Sequence, residues 1–215
     1  REEFRKHHNL IDSFVIMYAG NHSPCHPLDT LITAAESLAD NREIVFCFVG
    51  GGSEHRKIEG ALSEGSLKAN ILCLPYQPLQ HLAGVLSAAD LHVVVMGEKL
   101  VGTIHPCKIY NILHVNSPIL SIGPECSHLG DLLEKIDNPE HVFSVKHGEI
   151  TRVREIILEQ SKINPRKRPT FESVAADYSV NRLLPKHCDL ILRSTTNMES
   201  PNQSRESSDY FETPP

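Results

Sequence analysis

Residues 14–52 read FVIMYAGNHSPCHPLDTLITAAESLADNREIVFCFVGGG and contain one complete strand–helix–strand unit. The runs FVIMYA (14–19) and IVFCFVG (44–50) are continuously apolar, which is typical of strands buried on both faces of a parallel sheet. Residues 27–40, between the two runs, carry apolar side chains at helical spacing. The unit therefore predicts two parallel strands joined by a crossover helix.

The same alternation continues along the chain. Four further β-rich runs follow, namely NILCLP (70–75), LHVVVM (91–96), PILSIG (118–123) and HVFSV (141–145). Helical segments are predicted between the runs, at 53–65, 79–89, 106–114 and 127–135. The sequence thus predicts an α/β fold with a Rossmann-like, doubly wound parallel sheet, whose ligands bind at the carboxyl ends of the strands.

The domain organisation follows from changes in composition. Residues 1–13 are predicted to be a helical lead-in or linker, and residues 14–190 a single domain that ends in helices at 148–162 and 170–184. Residues 191–215 are polar, acidic and rich in Ser and Pro, which predicts a disordered tail. Because the chain begins without Met in a charged helical segment, we expect a fragment of a longer protein.

Charge and hydropathy exclude some classes of function. A net charge of -6 and a pI near 6.1 argue against a general nucleic-acid binder. No apolar run approaches the roughly 20 residues that span a bilayer, and REEFRKHHNL (1–10) lacks the apolar core of a signal peptide. We expect a cytoplasmic protein, a location compatible with peripheral association at the inner face of the membrane.

The spacing of cysteine and histidine residues bears on redox and metal chemistry. The six cysteines are widely spaced without a CxxC pair, which favours reduced thiols. His22, Cys25 and His26 form HxxCH, three potential metal ligands on one short loop, but the first Cys of a haem-attachment site is absent. A polar loop is the preferred interpretation, and no metal site is predicted.

The loops after the first two runs are rich in glycine. Gly20 and Asn21 precede a helical segment, so that backbone amides can point at an anion; the alternative is that Gly20 only permits a tight turn. Gly51 and Gly52 belong to a triplet that matches neither GxGxxG nor the GK[ST] of a P-loop. NAD and ATP are therefore disfavoured, and the glycines are predicted to let another ligand approach the backbone.

The third loop, CLPYQPLQHL (73–82), holds Tyr76 and Gln77 between two prolines. A stiff loop that offers backbone groups and an aromatic ring suits a flat base. The alternative is an ordinary turn followed by an amphipathic helix.

The fourth loop contains GTIHPCKIYN (102–111), the most specific functional signal in the sequence. A helix predicted from residue 106 carries Lys108 and Asn111 three residues apart, so both can face one ligand. Helix-terminal amides, the helix dipole and an ammonium group then converge, which fits a diphosphate with an attached ribose. The alternative is that Lys108 is a solvated helix residue and His105 a loop cap.

This ordered set of loops resembles the C-terminal domain of the family-four retaining glycosyltransferases, particularly the branch that makes bacterial surface polysaccharides. Pro106, Cys107, Lys108 and Tyr110 match the PSKxY segment of that branch, and NILHVNSPIL (111–120) occupies the position of EAMAxGxPV. The resemblance covers about residues 14–184. It implies the nucleotide-sugar-binding half of a GT-B enzyme, which transfers a sugar from a UDP- or GDP-linked donor with retention and without a metal cofactor.

The resemblance also implies roles for individual residues. Gly20 and Asn21 face the diphosphate, Tyr76 and Gln77 flank the base, and residues 102–104 touch the donor sugar and phosphates. The full predicted donor-binding set is Gly20, Asn21, His22, Gly51, Gly52, Tyr76, Gln77, Gly102, Thr103, Ile104, His105, Lys108 and Asn111.

The sequence departs from the pattern of that family at several positions. Thr103 and Asn111 stand where the family has its paired glutamates, the second of which holds the ribose. Asn21 and His26 stand where the family has Arg and Lys. Charge on the leaving group would then be neutralised mainly by Lys108, with helix dipoles and His22 or His26. Lys108 and His26 are accordingly the predicted catalytic residues.

The same resemblance implies partners and leaves alternatives open. The acceptor would be a glycan or a lipid-linked sugar, bound by an N-terminal domain that precedes this chain. A UDP-sugar epimerase of GT-B type and a non-catalytic nucleotide-binding module remain alternatives. A flavodoxin-like regulatory module is disfavoured because neither Asp29 nor Asp90 follows the end of a predicted strand.

Overall fold

The structure, a computed structural model, describes residues 1–163 and 168–196 of the chain. Six parallel strands form one sheet in the order β3-β2-β1-β4-β5-β6. The strands are β1 Phe14–Asn21, β2 Ile44–Gly51, β3 Ile71–Leu74, β4 Leu91–Val95, β5 Ile119–Ile122 and β6 Val142–Val145. Each predicted run coincides with one of these strands to within two residues at either end, so the predicted doubly wound parallel sheet is confirmed.

Helices connect the strands as predicted, although most are shorter than the apolar spacing suggested. They are α1 Glu2–His7, α2 Asp29–Glu36, α3 Ser53–Ser63, α4 Leu79–Leu86, α5 Lys108–His114, α6 His128–Leu133, α7 Ile150–Ser161, α8 Glu172–Asp177 and α9 Val180–Thr196. The helix predicted over 170–184 is interrupted, because α8 ends at Asp177 and α9 begins at Val180.

Both faces of the central strands are buried, which explains their continuous apolar runs. In β1, Ile16 and Tyr18 pack in one cluster with residues of α2 and α7. Val15 and Met17, which alternate with them, pack on the opposite face with residues of α4. The sheet is therefore a middle layer between two layers of helices.

The strand order reverses beside β1. This strand pairs with β2 on one side and with β4 on the other, where Ile16 is in register with Leu91. The connections from β1 and β4 thus leave the sheet in opposite directions and open a crevice at the carboxyl ends of these strands.

The lead-in at 1–13 is more than a linker. One compact unit extends over Arg1–Ala175, so its boundaries differ from the predicted 14–190. Arg5 of α1 is buried, its guanidinium pairs with Asp90, and its Nε donates to the Ala88 carbonyl at 2.9 Å. The first helix belongs to the domain because a buried ion pair ties it to the start of β4.

The second compact unit covers Ala176–Pro215, and α9 is its described helix. The prediction of disorder from residue 191 is wrong for 191–196, which are helical. Apolar residues recur at helical spacing up to Leu192, so helix formation extends further than the polar composition suggested. Residues 197–215 of the predicted tail lie outside the described residues.

Within the described part of the chain, no helix combines the length and the apolar character needed to cross a membrane.

Candidate functional site

A cavity of about 460 Å³ opens at the crevice beside β1. Its wall is built from the ends of β1 and β2, the loop after β3, one face of α4 and the start of α5. Eight of the predicted site residues line it together, namely Gly20, Asn21, His26, Tyr76, Gln77, His105, Lys108 and Asn111. Residues more than 90 positions apart in the sequence thus meet at one edge of the sheet, as expected for an open α/β fold.

Six predicted donor-binding residues do not line this cavity, namely His22, Gly51, Gly52, Gly102, Thr103 and Ile104. Gly102 and Thr103 are exposed in the turn that follows the short helical turn Glu98–Leu100. A donor sugar held within the cavity wall would therefore not contact these two residues in this structure.

The glycine triplet of the second loop has a packing role that the sequence did not indicate. Gly52 has a φ of +129°, and a Cβ placed there would lie 2.3 Å from the carbonyl oxygen of His22. Gly51 lies under the ring of Tyr76, since a Cβ at Gly51 would lie 3.0 Å from Cε2 of that ring. The triplet lets the loops after β1 and β2 touch and seats the side chain of Tyr76.

His22 points into the protein rather than into the cavity. Its side chain is fully buried, its Nδ1 lies 2.9 Å from the Gly20 carbonyl, and its ring packs edge-on against Tyr18 and His55. Burial lowers the pKa of His22 to about 4, so the imidazole is neutral. The prediction that His22 helps to neutralise a diphosphate is wrong because its ring belongs to the core.

Lys108, the first residue of α5, places its amine at the cavity wall. Nζ lies 3.3 Å from the centroid of the Tyr18 ring. A Cβ placed at Gly20 would lie 3.9 Å from Nζ. The atom is shielded from solvent and has no hydrogen-bond partner among the described residues. Burial lowers the pKa of Lys108 to about 7. The interpretation of Lys108 as a solvated helix residue is therefore excluded.

The helix that carries Lys108 is only seven residues long. A helix of two turns sums few peptide dipoles, so it presents a weak field at its N-terminus. The positive charge available to a ligand here comes from the Lys108 side chain more than from the helix, in contrast to the predicted contribution of the helix dipole.

His26, the second predicted catalytic residue, also lines the cavity. It is buried, and its Nδ1 has no hydrogen-bond partner among the described residues. Burial lowers its pKa, and the nearby Lys108 lowers it further, against an opposing effect of the Val95 carbonyl. His26 is therefore a neutral imidazole that can form a hydrogen bond to a ligand but carries no positive charge at neutral pH.

His105 stands at the rim beside a second imidazole. Its ring centroid lies 4.5 Å from that of His128 and 5.3 Å from that of Tyr110. Burial lowers the pKa of His105, and His128 adds to the effect. His105 is therefore packed against a second imidazole and a phenol ring rather than acting as a free loop cap.

Among the described residues of the cavity wall there is no Asp or Glu, and Lys108 is the one Lys or Arg. Nor do the described residues contain a group of three His, Cys, Asp or Glu side chains placed to hold a metal ion. The arrangement can bind an anion beside the ring of Tyr76 and the amide of Gln77. It offers no carboxylate for general acid or base catalysis.

Sequence reasoning missed the apolar wall that α4 contributes. Leu79, Leu82 and Leu86 lie on one face of this helix at i, i+3 and i+7, and all three line the cavity together with Val85. The helical spacing was visible in the sequence, but it equally describes a face packed on the core. The sequence pattern likewise indicates only that Tyr18 belongs to a buried strand.

Known proteins resemble this chain in sequence and in fold. No protein-family model matches the chain. The chain is 29% identical over 175 residues to the Escherichia coli (strain K12) protein WcaI, whose name assigns it to glycosyl transfer in colanic acid biosynthesis. That alignment covers 79% of this chain but only 39% of WcaI, so the chain spans well under half the length of this relative.

Solved structures of glycosyltransferases share the fold. Staphylococcus aureus TarM, crystallised with UDP, α-GlcNAc-glycerol and fondaparinux, superposes with a TM-score of 0.64 at 16% identity over 83% of this chain and 35% of its own. Anabaena Alr3699/HepE, in complex with UDP-glucose, gives a TM-score of 0.64 at 16% identity over 91% and 52%. WaaG, a glycosyltransferase of lipopolysaccharide biosynthesis, gives 0.59 at 15% over 87% and 49%. The fold is the Rossmann-like α/β fold found in GT-B glycosyltransferases.

Proposed function

We propose that this chain is the donor-binding domain of a GT-B glycosyltransferase and that its cavity holds a nucleotide diphosphate sugar. One observation carries the proposal above all others: the amine of Lys108 is buried in the cavity wall and has no hydrogen-bond partner among the described residues. A buried amine without a partner is costly, and an anionic ligand is the group that removes the cost.

The lining of the cavity supports a nucleotide diphosphate over a simple anion. Tyr76 is 62% exposed over the open side of the cavity, so its ring is free to stack on a base. Gln77, beside it, has its Nε2 bonded to the Pro75 carbonyl at 2.9 Å, which holds the amide in place. Asn111, one turn after Lys108, is placed for a ribose hydroxyl, and Gly20 and Asn21 for the phosphates.

Similarity to known proteins supports the same ligand class. HepE was crystallised with UDP-glucose and TarM with UDP, and both share the fold of this chain. The name of WcaI places a relative in surface-polysaccharide synthesis. We therefore propose a UDP- or GDP-linked donor and a glycan or lipid-linked acceptor.

The proposed reaction is sugar transfer with retention of anomeric configuration. The bond between the anomeric carbon and the diphosphate oxygen breaks, and the acceptor oxygen bonds to the anomeric carbon from the same face. The proton of the acceptor hydroxyl passes to the leaving diphosphate. Lys108 stabilises the negative charge that develops on the leaving diphosphate, and His26 contributes a neutral hydrogen bond. The proposal also assigns Gly102, Thr103 and Ile104, in the loop before α5, to contact with the donor sugar. The chain matches 39% of WcaI, and we propose that the acceptor is bound by another part of the whole protein.

Calorimetric titration of the chain with UDP, GDP and ADP tests the donor site. We expect at least one diphosphate to bind with a dissociation constant below the millimolar range, and more tightly than its nucleoside. Failure of all three to bind at millimolar concentration would overturn the proposal. Lys108→Ala is expected to weaken the diphosphate at least tenfold more than the nucleoside, because it removes a charge-assisted hydrogen bond of about 1.5–3 kcal/mol.

A further inference from the structure

The amine of Lys108 lies in the cavity wall, where the described residues supply no counter-charge. Its Nζ is shielded from solvent, makes no hydrogen bond to a described residue and faces the ring of Tyr18 at 3.3 Å. The attraction between an aromatic face and an ammonium is far weaker than the hydration that burial removes. The free site is therefore a poor environment for a charged lysine.

The titratable groups around this amine do not supply the missing charge. Tyr18 lies beneath it on β1, and burial raises the pKa of that phenol, so it stays neutral. His22 and His26, in the loop after β1, and His92, on β4, are imidazoles whose pKa values burial lowers. No carboxylate stands among the described residues of the cavity wall. Among the described residues that face Lys108, only the ring face of Tyr18 favours the charged form of the amine.

We propose that the site binds its diphosphate together with a proton, which the Lys108 amine takes up from solvent as the anion arrives. This inference rests on the proposed function and specifies how that site is regulated. The balance is simple: a neutral amine gains one proton and becomes an ammonium, which then donates a hydrogen bond to a phosphate oxygen. No covalent bond to the ligand forms or breaks. Tyr18 acts as a positioning residue that holds the amine at the cavity wall.

Proton uptake makes donor affinity depend on pH in a defined direction. Burial lowers the pKa of Lys108 to about 7 in the free site, whereas a bound diphosphate restores the preference for the charged form. Below the free pKa the amine is already charged, and affinity is insensitive to this group. Above it, affinity falls toward tenfold per pH unit, because binding then requires a proton.

Titration calorimetry of UDP into the wild-type chain at about pH 8 tests the inference, with the measurement repeated in two buffers of different ionisation enthalpy. At this pH the terminal phosphate of UDP, with a pKa near 6, is already ionised and contributes no proton. The dependence of the heat on the buffer then counts protons taken up by the protein. We expect a count that approaches one per UDP bound.

Lys108→Arg is the matched variant, because its guanidinium stays charged when buried and has no proton to take up. We expect this variant to bind UDP with a proton count near zero at about pH 8, and we expect the two counts to converge at about pH 6, where Lys108 is charged before binding. Equal counts for both proteins at the higher pH would overturn the inference, and so would a wild-type count near zero.

If Lys108→Arg does not fold, the proton count of the wild-type chain in two buffers still tests the inference. If UDP binds without proton uptake, this inference is wrong but the proposed donor site still stands. A chain that binds no nucleotide diphosphate at either pH removes the proposed function, and the inference with it. Tyr18→Leu, compared with Tyr18→Phe, tests the positioning role: loss of the ring is expected to reduce UDP affinity several-fold, whereas Tyr18→Phe keeps the face that Nζ contacts.

Discussion

Gly50 and Gly20 lie opposite each other in the register of β1 and β2, and a Cβ on Gly50 would lie 2.0 Å from the carbonyl oxygen of Gly20. Gly50 also has a φ of +137°, which side chains of L-residues rarely adopt. The two strands that open the cavity can therefore approach only through a glycine.

Gly50→Ala is expected to destabilise the chain by more than about 2 kcal/mol, because it combines a backbone clash with a strained φ. Gly60→Ala is the matched control, since nothing lies within 4 Å of a Cβ at that helical position, and alanine there stabilises a helix by about 0.5–1 kcal/mol. Urea unfolding of both variants measures the difference. Equal unfolding free energies would contradict the close approach of the two strands.

Asp90 provides a second prediction because it is buried at the opposite end of the sheet from the cavity. It pairs with Arg5, accepts a hydrogen bond from Arg1 at 3.1 Å and accepts another from the Val15 amide at 2.9 Å. Asp90→Ala leaves the Arg5 guanidinium buried without its carboxylate, so we expect a loss of about 3–5 kcal/mol in unfolding free energy.

Glu155→Ala serves as its control, because the ion pair of Glu155 with Arg152 is exposed on α7. A change within about 0.5 kcal/mol is expected for this variant. Comparable losses for the two variants would mean that α1 is not anchored through the buried pair.

Lys108→Met is expected to stabilise the ligand-free chain while it weakens diphosphate binding. The folded protein holds the pKa of Lys108 near 7, below its ordinary value of 10.5, so the unfolded chain binds more protons between these values. The destabilisation by Lys108 is therefore fully present below about pH 7 and fades as the pH rises toward 10. The increase in unfolding free energy caused by Lys108→Met should therefore be largest below about pH 7 and should shrink as the pH rises toward 10.

Unfolding free energies of the wild type and Lys108→Met, measured without ligand at several pH values, check this course. Lys57→Met is the control, since that lysine is exposed and pairs with Glu54 on the surface of α3. A stabilisation by Lys108→Met that grew with rising pH would have the wrong sign and would show that the amine is charged and satisfied in the free protein.

Tyr76→Ala is expected to weaken UDP and uridine by similar factors of about tenfold, because base stacking on an aromatic ring contributes about 1–3 kcal/mol. Lys108→Ala should instead affect UDP selectively, as its partner is the diphosphate. Tyr76→Phe keeps the ring over Gly51 and should bind both ligands nearly as the wild type does. Calorimetry with the two ligands separates the effects. Selective weakening of UDP by Tyr76→Ala would place the ring at the phosphates.

Some features of the site could be predicted from the sequence and others could not. The sequence predicts that Tyr76, Gln77, Lys108 and Asn111 lie near one another, and all four line the cavity, because the loops after parallel strands meet at one edge of the sheet. His22 was assigned wrongly, since a loop sequence does not show whether an imidazole turns toward the ligand or toward the core.

Arg168 illustrates the same limit outside the site. Its sequence context, NPRKRP (164–169), is basic and rich in Pro, a composition typical of a solvated turn. In the structure its guanidinium donates to the carbonyls of Val115 and Ala89, each at 2.9 Å, near the ends of α5 and α4. These partners lie more than 50 residues away in the chain, so no local pattern indicates them.

The amino-acid sequence predicts the succession of strands and helices along the chain, the burial of both faces of the sheet and the edge of the sheet at which the cavity lies. These properties follow from local periodicity and from the geometry of parallel strands. Three properties depend on the folded chain: Lys108 contacts the ring of Tyr18 with no counter-charge among the described cavity residues, His22 is buried in the core, and α4 supplies an apolar wall. Side-chain environment depends on contacts between distant segments, and those contacts set the pKa of Lys108 on which the proposed chemistry depends.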